Sequence, residues 1–196
     1  MGRLLGKRAL DLGLLLPALP LYGTLVAGLA LLVWARDGRP VFFAQSRVGL
    51  GGQPITILKL RTMTCEDRVE DRRPTGFGRW LRQRGLDEVP QLLTVLRGEM
   101  SLVGPRPLTP AHHRRLVAEY PPFAERIRLS PGITGLAQVC QAQGVRQSAR
   151  LDALYARHRS ALLDVRILIR TVWVNLVGKA RGAWPAEWLE GSLAAR

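Results

Sequence analysis

The chain is poor in acidic residues, cysteine and histidine, and each shortage argues against a class of function. Only 15 Asp and Glu stand against 29 Lys and Arg, which gives the 196 residues a net charge of +14. This balance favours a polyanionic partner, such as nucleic acid, anionic lipid or a phosphorylated substrate. The two cysteines, Cys65 and Cys140, have no metal-ligand spacing and need no disulfide, which suits a reducing compartment. His112, His113 and His158 lie in polar, helix-like surroundings that are typical of solvated side chains.

Charge is missing altogether from Leu12 to Ala35, a run of 24 residues. A straight helix of that length covers about 36 Å and would cross a bilayer. Pro17 and Pro20 predict a bend or break in its first half. Basic residues flank both ends, and the positive-inside rule then places both ends in the cytoplasm. Two topologies stay open: a re-entrant helix that enters, breaks and returns, and a single straight span.

After the apolar run, the pattern changes to short segments rich in β-branched and aromatic residues. Val41–Ala44 and Ile55–Leu60, with glycines between them, predict a β-hairpin. Lys59 and Arg61 alternate with leucines and are predicted to share one face of the second strand. Two interpretations of these cations stay open: they lie on a solvated surface, or they bind a phosphate group. Gly78–Arg84 predicts a basic amphipathic helix.

The adjacent acids Asp87 and Glu88 come where a loop should turn into a helix. The apolar positions that follow have helical spacing, and Pro90 fits only the first turn of such a helix. The two carboxylates are therefore predicted at a helix N-terminus, where the macrodipole favours negative charge. A helix cap is the ordinary interpretation of such a pair, and a phosphate-linked catalytic site is the other.

Five motifs stand in order along the chain: P-V-F-F-x-Q-x-R-V-G, K-L-R-T-M, L-D-E-V-P-Q-L, R-G-E-M-S-L-V-G-P-R-P-L and P-G-I-T-G-L-A-Q-V. In this order they resemble the bacterial sugar transferases, which are monotopic polyprenyl-phosphate phosphoglycosyl transferases. The resemblance covers roughly Lys7 to Gly182. The size of the chain is similar to that of the small members, which consist of the catalytic core only.

The resemblance implies an enzyme that moves a phospho-sugar from a UDP-sugar to polyprenyl (undecaprenyl) phosphate and releases UMP. Such a step begins exopolysaccharide, O-antigen or glycoconjugate assembly at the cytoplasmic face of the bacterial inner membrane. It implies Asp87 as the nucleophile of an aspartyl phosphosugar intermediate, and Glu88 as the residue that holds Mg²⁺. Gln138 either faces the site or supports the backbone. The basic positions that match the family's substrate-binding residues are Lys59, Arg61, Arg82 and Arg106.

The chain departs from the family's pattern at three places. Thr24-Leu25 stands where a Ser-Pro helix break is common, and Cys140-Gln141-Ala142 replaces Asn-Gly-Arg, which bears on the sugar or nucleotide preference. The segment between Met63 and Phe77 is also shorter than in many members. These departures leave room for a catalytically silent basic membrane scaffold, although the intact dyad argues against it. Nucleic-acid binding would explain the charge but not the long apolar segment.

The expected fold is α+β and mostly helical. We predict an N-terminal membrane helix over residues 1–38, a catalytic domain over 39–182 and a tail over 183–196. Leu151–Val177 is predicted as one long helix whose arginines either contact anionic lipids in the headgroup plane or flank a face packed on the core. Trp184 and Trp188 in the tail are expected to be interfacial anchors or a flap over the site.

Overall fold

A computed structural model describes residues 2–66 and 71–177. Within these ranges the fold is α+β and mostly helical, as predicted. The helices are α1 Gly2–Asp37, α2 Gly76–Arg84, α3 Leu92–Arg97, α4 Pro110–Glu119, α5 Leu136–Val139, α6 Gly144–His158 and α7 Ala161–Val177. The strands are β1 Phe42–Val48, β2 Pro54–Leu60, β3 Ser101–Val103 and β4 Gly132–Thr134. The 3₁₀ segments are Leu50–Gly52, Leu86–Gln91 and Pro121–Arg128.

The predicted hairpin is confirmed. Strands β1 and β2 pair antiparallel, with Phe42 opposite Leu60 and Val48 opposite Pro54. The turn between them takes Gly51 and Gly52 through positive φ, a conformation that costs glycine little. The strand β1 runs to Val48, four residues beyond the predicted end, because pairing with β2 continues up to the turn.

Helix α1 is continuous through Pro17 and Pro20, so the predicted break at these prolines is wrong. Each proline removes only one N–H from the helix. The core holds α1 on both sides of them, at Leu15 on one side and at Leu29 and Val33 on the other. By length and composition alone, α1 is suited to cross a membrane. Its outward face is apolar and exposed, at Leu14, Leu16, Leu21, Leu25, Leu31, Leu32 and Trp34.

Polar contacts clamp the beginning of α1 to the core. The Lys7 ammonium lies 2.7 Å from a carboxylate oxygen of the buried Asp164 in α7. Arg8 donates to the carbonyls of the last turn of α3, including that of Leu96 at 2.7 Å. The Val95 carbonyl also accepts from the N–H of Gly98, the residue that caps α3, at 3.0 Å, and the Arg8 cation suits the negative end of the helix dipole. Asp11 accepts from the Ser101 hydroxyl at 2.7 Å and so holds β3.

The other end of α1 is attached to the same core. An Asp37 carboxylate oxygen accepts from the Thr75 hydroxyl at 2.8 Å, next to the start of α2. Arg61 donates to the carbonyls of Asp37 and Gly38 at the end of α1. Both ends of this 36-residue helix therefore contact the same body of structure.

Strands β3 and β4 pair in parallel, and two glycines allow the loops that extend them to cross in contact. The Gly104 N–H donates to the Thr134 carbonyl at 2.8 Å, and the Gly132 N–H donates to the Pro105 carbonyl at 2.9 Å. A Cβ on Gly132 would lie 2.0 Å from the Gly104 nitrogen, and one on Gly104 would lie 2.2 Å from the Ser130 oxygen. Only glycine fits this crossing, which explains two of the glycines in the motifs.

The predicted single helix over Leu151–Val177 is wrong, because the structure divides it into α6 and α7. The division falls at Ser160, whose hydroxyl accepts from the Leu163 N–H at 3.2 Å and caps the new helix. One face of α7 packs on the core, while Ile169, Trp173 and other apolar residues remain exposed. The predicted roles of Trp184 and Trp188, and the tail over 183–196, lie outside the described residues.

Candidate active site

A glycine turn delivers the Asp87–Glu88 pair to the site. Helix α2 ends at Gly85, which has φ of 69°, a left-handed conformation that glycine adopts without strain. The chain then enters the 3₁₀ segment that carries both acids in its first turn and continues into α3. The pair does lie at the start of helical structure, as the sequence predicts. Asp87 is buried rather than exposed like an ordinary cap, with 7% of its surface accessible.

The pair lines a cleft of about 760 Å³, a size typical of small-molecule sites. Its basic lining comes from β2, α2 and the loop after β3, and α5 and α7 also contribute lining residues. The polar and charged residues that line it include Lys59, Arg82, Asp87, Glu88, Arg106, His112, Arg126, Thr134, Gln138, Gln141, Thr171 and Asn175. A concentration of cations around two carboxylates suits a substrate that carries phosphate groups.

Two cations hold the Glu88 carboxylate. The Lys59 ammonium lies 2.6 Å from Oε1, and an Arg106 guanidinium nitrogen lies 2.5 Å from the same oxygen. The Glu88 side chain is only 17% exposed. Burial alone would raise the pKa of Glu88, but Arg106 and Lys59 outweigh burial and lower the pKa to about 2. Glu88 is therefore ionised throughout the physiological range.

Asp87 is in a different electrostatic environment. Burial is the main cause that raises the pKa of Asp87, and the negative charge of Glu88 raises it further. Lys59 and Arg82 act in the opposite direction but do not cancel this effect. Adjacent carboxylates with pKa values moved in opposite directions are typical of sites where the two acids have different tasks.

Most of the residues predicted to bind substrate lie together in this cleft. Lys59, Arg82, Arg106 and Gln138 all line it. Arg61 does not, and the predicted shared face with Lys59 is not formed, because β2 ends at Leu60. The Arg61 guanidinium turns to the end of α1 and donates to backbone carbonyls there, including that of Gly38 at 3.0 Å. The structure therefore places Arg61 at the junction of α1 and the core.

Sequence reasoning missed several residues of the site. His112 was interpreted as a solvated side chain; it is exposed, yet it lines the cleft. Arg126 lines the cleft as well but lies outside the five motifs. Arg47 lies within the first motif and close enough to Glu88 and Arg106 for both to affect its pKa, which burial chiefly lowers. The motif was a sequence signal for Arg47, whereas Arg126 had none.

The Asp87 and Glu88 carboxylates suit a hard cation such as Mg²⁺ only if oxygen atoms of a substrate complete the coordination of the ion. Among residues 2–66 and 71–177, no group of three or more Asp, Glu, His or Cys side chains is placed to hold a metal. Glu88 Oε1 accepts from two cations, whereas Oε2 has only a 3.4 Å contact with Arg106 and keeps free lone pairs. Mg²⁺ typically binds one or two carboxylates together with phosphate oxygens and water. The site fits that pattern through Glu88 Oε2.

The chain was compared with known proteins. The profile of a family described as bacterial sugar transferase matches residues 2–178, nearly the whole chain. The chain belongs to the bacterial sugar transferase family. This confirms the resemblance inferred from the five motifs.

Curated relatives carry related names. The chain is similar to a UDP-glucose:undecaprenyl-phosphate glucose-1-phosphate transferase of Caulobacter vibrioides, with 43% identity over 86% of this chain and 68% of that protein. A protein of the same name from Escherichia coli K12 is 36% identical over 89% of this chain and 41% of its own length. An N-acetylgalactosaminephosphotransferase that acts on undecaprenyl phosphate, from Aeromonas hydrophila, is 34% identical over 88% of this chain and 44% of its own length. This bacterial sugar transferase therefore spans about two thirds of the first relative and less than half of the other two.

The opposite environments of the two acids predict opposite effects on stability. Asp87→Asn removes a charge that burial disfavours, so the variant should unfold at the same temperature as the wild type or higher. Glu88→Gln leaves Lys59 and Arg106 without their anion and should lower the free energy of unfolding by about 1–3 kcal/mol. Thermal unfolding of both purified variants at pH 7 in one detergent measures the contrast.

The pH dependence of unfolding gives the sign of each effect. The Glu88 contribution is present above the ordinary glutamate pKa and is lost as pH falls toward about 2. The Asp87 contribution favours the folded state at low pH and is lost as pH rises through its raised pKa. The free energy of unfolding of Asp87→Asn, relative to that of the wild type, should therefore increase as the pH rises. Equal destabilisation by both substitutions would contradict the assignment of two environments.

Proposed function

We propose that this chain is a UDP-sugar:undecaprenyl-phosphate sugar phosphotransferase. It moves a sugar 1-phosphate from the UDP-sugar to the lipid phosphate, which gives a polyprenyl-diphosphate-linked sugar and UMP. The product begins exopolysaccharide, O-antigen or glycoconjugate assembly. The observation that carries the proposal is the buried Asp87 beside the ionised, doubly paired Glu88 in a basic cleft. The names of relatives from several bacteria support the donor and the acceptor.

Asp87 is the nucleophile of the proposed mechanism. A carboxylate oxygen of Asp87 attacks the phosphorus that carries the sugar, and the bond from this phosphorus to the bridging oxygen breaks. UMP leaves with the bond electrons, and the phosphosugar remains on Asp87. A phosphate oxygen of the lipid then attacks the same phosphorus and releases Asp87 as a carboxylate. Covalent catalysis replaces one difficult step by two easier ones, and a raised pKa makes the ionised carboxylate the stronger nucleophile.

The cations stabilise the charge that the phosphates carry during both steps. Lys59, Arg82 and Arg106 line the cleft around the two acids. Phosphoryl transfer depends chiefly on positioning and on electrostatic stabilisation of phosphate oxygens. The planar Arg106 guanidinium suits two-point contact with phosphate, and its 47% exposed side chain can turn from Glu88 toward a substrate. Gln138 adds an amide to the opposite wall.

Mg²⁺ is the proposed cofactor, with Glu88 as its protein ligand. When bound to the diphosphate, the ion would neutralise charge on the oxygens of the leaving nucleotide. Glu88 is ionised over the whole working range, and its Oε2, 3.4 Å from Arg106, would donate a lone pair to the ion. Lys59 and Arg106 keep this carboxylate in place at the floor of the cleft.

Both ends of α1 are proposed to lie on the cytoplasmic side of the bacterial inner membrane. Asp11 is bonded to β3, and Asp37 is bonded next to α2, so the core holds both ends. A helix that crosses the bilayer must separate its ends by about 30 Å of hydrocarbon, which these contacts with one body oppose. The exposed apolar face of α1 then enters lipid from one side.

Helix α7 provides a route for the lipid acceptor. Thr171, Val174 and Asn175 line the cleft. Trp173 and Leu176, on other faces of the same helix, are 50% and 78% exposed. A polyprenyl chain can lie along the exposed apolar face while its phosphate reaches the basic cleft. The arginines that interleave with this face suit an anionic lipid surface.

The nucleophile prediction concerns Asp87→Asn. Because the change is nearly isosteric and removes only the nucleophilic charge, UMP release should fall by on the order of 10⁴-fold or more. Wild-type protein given Mg²⁺ and a panel of UDP-sugars without acceptor should gain the mass of one phosphosugar on Asp87, and the variant should not. Asp71→Asn, at an exposed acid outside the cleft, is the control. A mass gain of Asp87→Asn at another residue would overturn the assignment, and no UMP from any UDP-sugar with wild type would favour a silent scaffold.

The metal prediction concerns Glu88→Gln. Loss of the charged ligand should raise the Mg²⁺ concentration for half-maximal rate and reduce the maximal rate by about 10²–10³-fold. Glu119→Gln, at an exposed acid on α4, is the matched control and should titrate like the wild type. A Mg²⁺ titration of Glu88→Gln that coincides with the wild-type curve would remove Glu88 from the metal role.

The topology prediction uses single cysteines at Gly6 and Arg39, with Cys65 and Cys140 replaced. Gly6 has open space around its Cβ position, and Arg39 is exposed just beyond α1. An impermeant thiol reagent should label neither position in intact cells and both after the cells are broken. Cysteine at the exposed Asp71 reports the cytoplasmic side in the same experiment. Labelling at Gly6 in intact cells would show a true span and refute the proposed topology.

A further inference from the structure

In the loop that carries Arg106, the backbone carbonyls depend on hydrogen-bond donors from other parts of the chain. We call Gly104–Leu108 the Arg106 loop. Pro105 and Pro107 have no N–H, so the loop cannot form a regular ladder, yet its carbonyls still need donors. Four carbonyls of the loop accept hydrogen bonds from other parts of the chain: Pro105 from Gly132 N at 2.9 Å, Arg106 from Arg126 Nη2 at 3.0 Å, Pro107 from Arg47 Nη1 at 3.1 Å and Leu108 from Val48 N at 2.8 Å.

Two of these donors are arginine side chains on neighbouring carbonyls. Arg126 holds the carbonyl of Arg106 itself, and Arg47 holds the carbonyl of Pro107. They come from two separate elements, since Arg126 belongs to the 3₁₀ segment before β4 and Arg47 to β1. The backbone that bears the Arg106 side chain is therefore fixed from two sides.

Arg126 is enclosed by Asp152 and Phe123. Its guanidinium lies 3.3 Å from a carboxylate oxygen of Asp152 in α6, an ion pair without a hydrogen bond to that oxygen, and both side chains are more than nine-tenths buried. It also lies over the ring of Phe123, 4.4 Å from the centroid. A charged donor in such a setting forms a stronger bond to a carbonyl than a neutral donor does. Burial of this pair costs free energy, and a well-packed apolar pair often stabilises a core as much, so stability alone does not require these charges.

Arg47 is placed in a similar way on the other side. One of its terminal nitrogens donates to the Pro107 carbonyl, and the other donates to the Gln45 side chain at 2.5 Å. Its charge acts on both Glu88 and Arg106. Arg47 thus ties the hairpin that carries Lys59 to the loop that carries Arg106.

We propose that Arg126, held by Asp152, and Arg47 are positioning residues that act through Arg106. They fix the backbone from which the Arg106 guanidinium meets Glu88 and, in the proposed function, the transferred phosphate. The inference rests on the proposed function for the role of Arg106. Neither residue needs to contact the reacting atoms, because a shift of about 1 Å in a phosphate-binding group is enough to slow a reaction by about 10²-fold.

A double-mutant cycle tests this inference on the full-length protein in detergent. Arg126→Gln, Arg106→Gln and the double variant are compared by single-turnover UMP release from radiolabelled UDP-sugar, so that low residual rates can be measured. Arg126→Gln alone should reduce the rate about 10–100-fold. In the Arg106→Gln background the same change should reduce it less than about threefold, because the group that Arg126 positions is already gone.

Matched variants separate positioning from general support of the fold. Arg128→Gln changes an arginine two residues from Arg126 whose side chain is 79% exposed and paired only with Glu125 at the surface, and it should leave the rate unchanged. Arg126→Lys keeps the positive charge but loses the planar guanidinium, which lies over the Phe123 ring while its Nη2 meets both Asp152 and the Arg106 carbonyl, so it should also be slow. If Arg126→Gln does not fold, the cycle of Arg47→Gln with Arg106→Gln decides the question in the same way.

The outcomes separate this inference from the proposed function. An Arg106→Gln variant with the full wild-type rate would refute the proposed role of Arg106. An impaired Arg106→Gln variant, together with an equal fold-loss from Arg126→Gln in both backgrounds, would overturn the positioning role and leave the proposed function intact. An Arg126→Gln variant with the wild-type rate would overturn the positioning role as well.

Discussion

The site depends on one ionic contact, the Glu88 carboxylate between Lys59 and Arg106. Each partner comes from a different element: Lys59 from β2, Glu88 from the 3₁₀ segment and Arg106 from the loop after β3. The contact therefore joins three parts of the chain at the floor of the cleft. Because two cations face this one anion, Glu88 remains ionised although it is largely buried. The neighbouring Asp87 lacks such close partners and has the higher affinity for a proton, which gives the two acids distinct chemical characters.

Local patterns predicted the parts of the fold that local forces determine. β-Branched residues around glycines predicted the hairpin. The apolar spacing after Asp87 and Glu88 predicted that these two acids lie at the start of helical structure. Long-range contacts decided the rest. The continuity of α1 depends on packing against the core on both sides of Pro17, and the division into α6 and α7 depends on the cap at Ser160. Neither the packing of α1 nor the cap at Ser160 leaves a periodic pattern of apolar residues that can be detected in a short stretch of sequence.

The candidate site shows the same difference between what local patterns predict and what long-range contacts decide. The family resemblance predicted Lys59, Arg82 and Arg106 in the site, and all three line the cleft. Gln138, for which a place in the site and support of the backbone were both open, lines the cleft and also donates to the Ile133 carbonyl at 3.2 Å. The alternation rule failed for Arg61, because the strand ends one residue earlier. Arg126 was not predictable, since it meets Arg106 across 20 residues of chain and stands in no motif. Arg47 meets Pro107 across 60 residues. A sequence shows which residue types suit phosphate, whereas the fold determines which of them reach it.

Helix α1 is as much a support of the site as an anchor. Asp11 accepts from both the Ser101 hydroxyl and the Leu102 N–H, so it holds the strand that leads directly into the Arg106 loop. Lys7 pairs with Asp164, which also accepts from the Tyr155 hydroxyl at 2.7 Å, and this hydroxyl lies 3.2 Å from the Val103 carbonyl at the end of that strand. Two polar paths therefore run from the membrane helix to the residue before the loop. Separating α1 from the core would take the Lys7 cation away from the buried Asp164, and a buried charge that loses its counter-charge is costly. The attachment of α1 and the position of the loop that carries Arg106 therefore depend on the same set of contacts.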